Sequence, residues 1–122
     1  MTRPVRVDVH VHTAASYDAD ASVRAVLAAA ADAGLDAVAI TDHDTMRGAW
    51  EAMERAREYG VVVVPGVEVS TADGHLLALG VGTCPAAGRP LAETVAAVHE
   101  QGGAAVAPHP FQRSRHGVAR SV

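Results

Sequence analysis

Apolar and polar positions along the chain fall into short stretches of two kinds, some alternating or wholly apolar and others with helical spacing. Residues 5 to 11 alternate. They predict a strand with Val7, Val9 and Val11 on one face and Asp8, His10 and, just beyond, His12 on the other. The flanking valines predict that this strand is well buried. Ser22 reads as the N-cap of a helix carrying Val23, Val26, Leu27 and Ala30 on one side, with Gly34 at its stop. Ala37 to Thr41 is the short apolar run expected of a buried parallel strand. Thr45 is placed to cap a second helix that ends at Gly60 and whose inner face would hold Met46, Trp50 and Met53. Val61 to Val69 predicts a strand ending near Glu68, and Asp73-Gly74 a hairpin leading into another over about His75 to Val81. Pro90 opens a third helix with Leu91, Val95 and Val98 on one stripe and Gly102-Gly103 beyond its end, and Ala104 to Ala107 predicts a final strand.

Strands alternating with helices predict an α/β fold of about four to five mostly parallel strands joined by right-handed crossovers. Polar groups in such folds gather where strands end. His12, Asp42 with His43, Glu68 and His109 all fall there, on four strand ends. A face carrying two imidazoles and a carboxylate is costly to bury without a partner, and a divalent cation suits imidazole nitrogen and carboxylate oxygen together.

Composition narrows the chemistry. The 122 residues suit a single domain, yet a complete large barrel needs about twice that length. No apolar run approaches the roughly 18 residues of a membrane span, and no secretory leader pattern opens the chain. Cys84 stands alone and cannot form an internal disulfide, so a cytoplasmic setting is expected. A net charge of −4 argues against a nucleic-acid ligand but not against a small anion drawn to a metal.

The individual candidates differ in weight. Glu68 sits in Pro65-Gly66-Val67-Glu68-Val69, where an unpaired carboxylate would be expensive, so it is expected to bridge cations. His75 follows the hairpin turn, His109 lies between Pro108 and Pro110, and Asp18 follows Ser16-Tyr17; all three read as further ligands. Asp44 fits a helix-terminus role, and His99 beside Glu100 reads as a surface histidine. Arg113 and Arg115, in a cluster with His116 and Arg120, are placed to grip a phosphate.

Taken in order, Asp8-x-His10-x-His12-Thr13, Thr41-Asp42-His43-Asp44, Gly66-Val67-Glu68-Val69-Ser70, Asp73-Gly74-His75 and Pro108-His109-Pro110 resemble the PHP domain (polymerase and histidinol phosphatase family), nearest its small metal-dependent phosphoesterases. The resemblance implies a distorted (β/α)7 barrel with two or three divalent ions, zinc, manganese or iron, at the strand ends. It implies that His10 and His12 share one metal with a bridging Glu68, that Glu68, His75 and His109 hold a second, and that Asp18 and His43 contribute to a third. It also implies hydrolysis of a small phosphorylated substrate, a nucleotide or sugar phosphate, by a metal-bridged hydroxide, with Arg113 or Arg115 on a phosphoryl oxygen.

The family further carries a late Asp-x-His pair, which does not follow His109 in these residues. The expectation is therefore a single PHP-like domain over 1–122, truncated before its C-terminal strands, a partial barrel with open sheet edges through which it could self-associate. Two other functions stay open at this point: a noncatalytic metal-binding or assembly module, and a nuclease-like PHP domain tethered to a polymerase.

Overall fold

The computed structural model describes residues 3–121. Strand β1 (Val7–Val11) is followed by helix α1 (Val23–Asp32), β2 (Ala37–Ile40), α2 (Arg47–Tyr59), β3 (Val62–Thr71), β4 (Gly74–Leu79), α3 (Leu91–Glu100), β5 (Ala104–Val106) and a 3-10 turn (Arg113–Arg115). The five strands form one sheet in sequence order. β1–β2 and β2–β3 are parallel, β3–β4 and β4–β5 antiparallel. Only the hairpin strand β4 therefore runs against the other four, giving a curled half-barrel of the partial (β/α) type.

α1 begins where Ser22 Oγ accepts from Ala25 N–H at 3.1 Å, and it buries Val23, Leu27 and Ala30 in the core cluster that also holds Val38 and Ile40 of β2. β3 serves two partners. Its first half, Val62–Pro65, pairs with β2, and from Gly66 onward it pairs with β4. Gly66 sits at the crossover because a Cβ there would lie 2.8 Å from Ala78 O and 3.2 Å from Ile40 O. Glu68 consequently lies inside a strand that continues to Thr71, not at its end.

Three expectations are corrected. β1 is an edge strand of the sheet, and its Val7 and Val9 are 43% and 44% exposed. Its alternation is also broken. Asp8 pairs with Val38 and Val11 with Ile40, so three steps of β1 oppose two of β2. This bulge leaves Asp8 beside Val11 and Val38 in a groove under α1, where its Oδ1 accepts from the His10 backbone N–H at 3.1 Å, outside the cavity that the His10 and His12 imidazoles line. Finally, the inner face of α2 is Gly48, Ala49 and Ala52, while Trp50 and Met53 are each 49% exposed. The helix lies too close to the chain beneath it for large residues: a Cβ on Gly48 would collide with Asp42 Oδ2 and Thr13 Oγ1. Met46 occupies the N-cap position, and Thr45, one residue earlier, accepts from Arg47 N–H at 3.2 Å. No helix among the described residues is long and apolar enough to cross a membrane.

Candidate metal centre

The loops that follow β1 and β2 are tied to each other before they reach the site. Asp42 is fully buried; its Oδ1 accepts from Thr13 N–H at 2.6 Å and its Oδ2 from the Thr13 hydroxyl at 2.7 Å. That makes Asp42 a structural clamp, facing away from the cavity its neighbours line. Beside it the backbone of residues 42–44 extends the sheet: Glu68 N–H donates to Asp42 O at 2.9 Å and Asp44 N–H to Glu68 O at 3.0 Å. Asp44 in turn accepts from Ser70 N–H at 2.7 Å and takes a left-handed φ of 53°. Asp44 thus braces the backbone and is no ligand candidate.

These contacts bring seven predicted residues, His10, His12, Asp18, His43, Glu68, His75 and His109, around one cavity of about 470 Å³. Glu68, 1% exposed, is its centre, and its two oxygens divide the histidines. Oε1 lies 2.9 Å from His10 Nε2, 3.1 Å from His12 Nε2 and 3.8 Å from His43 Nε2. Oε2 lies 3.0 Å from His75 Nδ1 and 3.4 Å from His109 Nε2. Asp18 Oδ2 sits 3.0 Å from His43 Nε2. His109 and His116, like Asp44, have positive φ (30° and 58°), and such strain in non-glycine residues concentrates at functional sites.

The donors fit divalent ions. His75 Nδ1 and Glu68 Oε2 approach to 3.0 Å, yet neither has a hydrogen-bond partner, and His43 Nδ1 and His109 Nδ1 are also buried without one. Two lone pairs this close without hydrogen-bond geometry are aimed at shared space. His10 Nε2, His12 Nε2 and Glu68 Oε1 form a triangle with edges of 2.9 to 3.2 Å, near the ligand spacing set by metal–ligand bonds of about 2.0–2.2 Å. Three donor sets lie within 4.8 Å: His10-His12-Glu68, His12-Asp18-His43 and His43-Glu68-His75. The first agrees with the expected grouping. In the second, Asp18 and His43 stand together as in the expected third group and His12 joins them; in the third, His43 joins Glu68 and His75, where His109 was expected, while His109 approaches Glu68 Oε2.

Protonation in the metal-free chain follows the same contacts. Burial alone would raise the Glu68 carboxyl, but hydrogen bonds with His10 and His12 and the nearby His43 hold it well below the usual carboxylate range. The hydrogen bond to Glu68 raises His12 despite its burial. Burial lowers His75 and favours the neutral, ligating imidazole. Burial also pushes Asp18 upward, and the Ser16 hydroxyl, His43 and His12 outweigh it to leave Asp18 lowered.

Arg115 lines this cavity, whereas Arg113 lines an adjoining one, so the two arginines part company. Sequence reasoning passed over Tyr17, whose ring centroid is 4.8 Å from that of His43, and placed His116 only in a basic cluster although it stands 5.4 Å from His75. Their adjacency to Asp18 and Arg115 was the available signal. His99 is exposed on α3 and outside the cavity, as expected.

The sequence pattern of the PHP domain matches residues 8–107. An uncharacterized protein of Methanocaldococcus jannaschii is 36% identical over 117 residues, covering 88% of this chain and 68% of that protein. A PolC-type DNA polymerase III from Caldanaerobacter subterraneus is 50% identical over 64 residues, which span 52% of this chain and 5% of the polymerase. A crystal structure from Bifidobacterium adolescentis, provisionally assigned as a metal-dependent phosphoesterase, superposes with a TM-score of 0.57 at 36% identity over 63% of this chain and 28% of that one. The match over most of the chain, with the ordered histidines and Glu68 in one cavity, shows that this chain belongs to the PHP domain family.

Proposed function

We propose that the chain is the metal-binding part of a phosphoesterase that hydrolyses a small phosphorylated substrate, a nucleotide or sugar phosphate. The observation that carries this reading is the division of Glu68 between two groups of imidazoles, His10 with His12 on one oxygen and His75 with His109 on the other. A carboxylate so placed would hold a cation on each side, and such a pair would supply the electrostatic assistance of two-metal phosphoryl transfer. Zinc, manganese or iron bound there would supply Lewis acidity toward a phosphoryl oxygen and an activated water. The residues of the chain then have distinct tasks. Glu68 and the histidines fix the cations, Asp18 with His43 forms a third corner, and Ser16, 3.4 Å from His12 Nδ1, orients that ring from behind. Arg115 offers a guanidinium to a nonbridging oxygen, where charge grows in the transition state.

Metal analysis together with 4-nitrophenyl phosphate turnover tests this. Bound Mn²⁺ or Zn²⁺ with metal-dependent hydrolysis is the expected result. Bound metal with no hydrolysis of that or any generic phosphoester would overturn it in favour of a noncatalytic metal module. The likeness to PolC is compatible with a separate reading, a nuclease-like PHP domain tethered to a polymerase.

A further inference from the structure

The site described above adjoins a second cavity of about 560 Å³, floored by the β3–β4 turn from Ser70 to Gly74. The two cavities share Tyr17, His75 and His116 as their dividing wall. The 3-10 turn spans both: Arg115 lines the metal-side cavity and Arg113, two residues earlier, the second. Neither guanidinium has a carboxylate within ion-pair distance among the described residues. The one acid in the second cavity, Asp73, turns its Oδ2 to Leu91 N–H at 2.8 Å, at the start of α3.

The segment that carries these arginines is held in place. His116 O accepts from His75 N–H at 2.8 Å, Phe111 N–H donates to Val118 O at 3.0 Å, and Arg120 lies over the Phe111 ring at 4.3 Å. Gly74 allows this close docking, because a Cβ there would lie 2.9 Å from His116 O. The backbone that carries the two arginines is therefore set by the fold and is not a loose tail, while both side chains reach out exposed from it.

We infer that the second cavity receives the leaving-group side of the substrate and that Arg113 selects a leaving group bearing its own anion, a carboxylate or a second phosphate. This rests on the phosphoesterase reading. With one phosphoryl group at the cations and Arg115, the rest of the molecule extends past Tyr17 and His116 into the only adjoining cavity that shares their wall among those described. There the unpaired guanidinium of Arg113 meets it. Guanidinium is the cation best matched to planar or tetrahedral oxyanions, and burying it against an uncharged group would forfeit its hydration without return.

The test uses non-hydrolysable ligands so that turnover is not needed. Benzylphosphonate, and the same compound with a para carboxylate or a para phosphonate, are titrated calorimetrically into the manganese-loaded protein. Both substituted ligands are expected to bind about tenfold more tightly than the parent, the scale of one added charge-assisted contact. Arg113→Gln should bring all three within about twofold, Arg113→Lys should restore part of the difference, and Arg115→Gln should weaken all three alike. Equal binding of the three by the unaltered protein, no binding at all, or a preference that survives Arg113→Gln would overturn the inference. Hydrolysis of 4-nitrophenyl phosphate, which has no second anion, reports on the phosphoesterase reading separately. If only one substituted ligand gains affinity, the anion is identified as carboxylate or phosphate.

Discussion

His10 Nε2 and Glu68 Oε1 lie 2.9 Å apart, joined across 58 residues of chain, and His12 Nε2 stands 3.2 Å and 3.1 Å from the two. In the metal-free chain that triangle is held by shared protons. On the proposed reading a cation would replace them with bonds to all three donors and, binding the folded chain alone, would add to stability by mass action. Removing metal with a chelator should therefore lower Tm by on the order of 10 °C, corresponding to about 2.7 kcal/mol at a hundredfold excess over Kd. Differential scanning fluorimetry with EDTA and with re-added Mn²⁺ checks it, and an unchanged Tm would count against a structural role for the cations.

Glu68→Gln should lower metal content and activity together. The amide keeps the shape of the carboxylate but removes the charge and turns one oxygen into a donor facing His75 and His109 or His10 and His12. Metal stoichiometry should fall by at least one ion per chain, and turnover by about 10²–10³, the scale of losing one preorganised electrostatic group. Inductively coupled plasma analysis with kinetics on the same preparation decides it. His99→Gln, on the exposed face of α3, serves as the control and should alter neither.

The convergence of the site was legible because strand ends in an α/β fold point to one rim, which brings His12, His43 and His109 together; Glu68 joins them from inside β3, past the point where that strand changes partner from β2 to β4. Asp8 shows where alternation fails. A bulge is a property of pairing with β2, invisible in residues 5 to 11 themselves, and it moved Asp8 to the other side of the sheet. The exposure of Val7 and Val9 has the same origin, since an edge strand and a central one share the same composition. Trp50 and Met53 were expected inside by helical spacing. Their displacement by Gly48, Ala49 and Ala52 follows from the buried Thr13–Asp42 clamp, a tertiary contact between residues 29 apart. The separation of Arg113 from Arg115 likewise depends on a 3-10 turn that no periodicity marks.

The pH response should differ between metal-free and metal-loaded protein. His12 is raised above its ordinary 6.5, chiefly by its hydrogen bond to Glu68. Its stabilising contribution is thus in full force below about pH 6.5 and is lost as pH rises through the raised folded value. Glu68 is lowered, with burial outweighed by His10 and His12, so its contribution stands above about pH 4.5 and disappears only as pH falls toward its folded value. His75, lowered by burial, acts in the opposite sense to His12 and costs stability when protonated below about pH 6.5. A cation needs deprotonated imidazoles, so raising the pH from about 6 to 8 weakens the His12–Glu68 pair of the metal-free chain while strengthening metal binding. The Tm difference between the two forms should widen across that range, with protons released on binding at the lower end. Melting curves with and without Mn²⁺, and calorimetry in buffers of different ionisation enthalpy, measure the two effects; a gap that narrows would contradict the assignment of His12 as a ligand.

Gly48→Ala probes how the fold carries the site. The added methyl would drive into the Asp42 carboxylate and the Thr13 hydroxyl, both buried and already joined, the hydroxyl donating to Oδ2 at 2.7 Å while Thr13 N–H donates to Oδ1 at 2.6 Å. Neither can swing aside without leaving a buried polar group unpaired, so the helix must move instead. Overpacking of this kind costs about 1–3 kcal/mol, read as a lower urea midpoint at unchanged m-value. The effect should also reach the cations. Asp42 O receives Glu68 N–H, and Asp44 N–H donates to Glu68 O, so a shift of residues 42–44 displaces the carboxylate that both groups of histidines face. Weaker metal binding by a variant that touches no ligand is the expected result. If Gly48→Ala instead lowers stability while leaving metal affinity intact, the Thr13–Asp42 clamp supports α2 alone, and Glu68 is held by its pairing with β4.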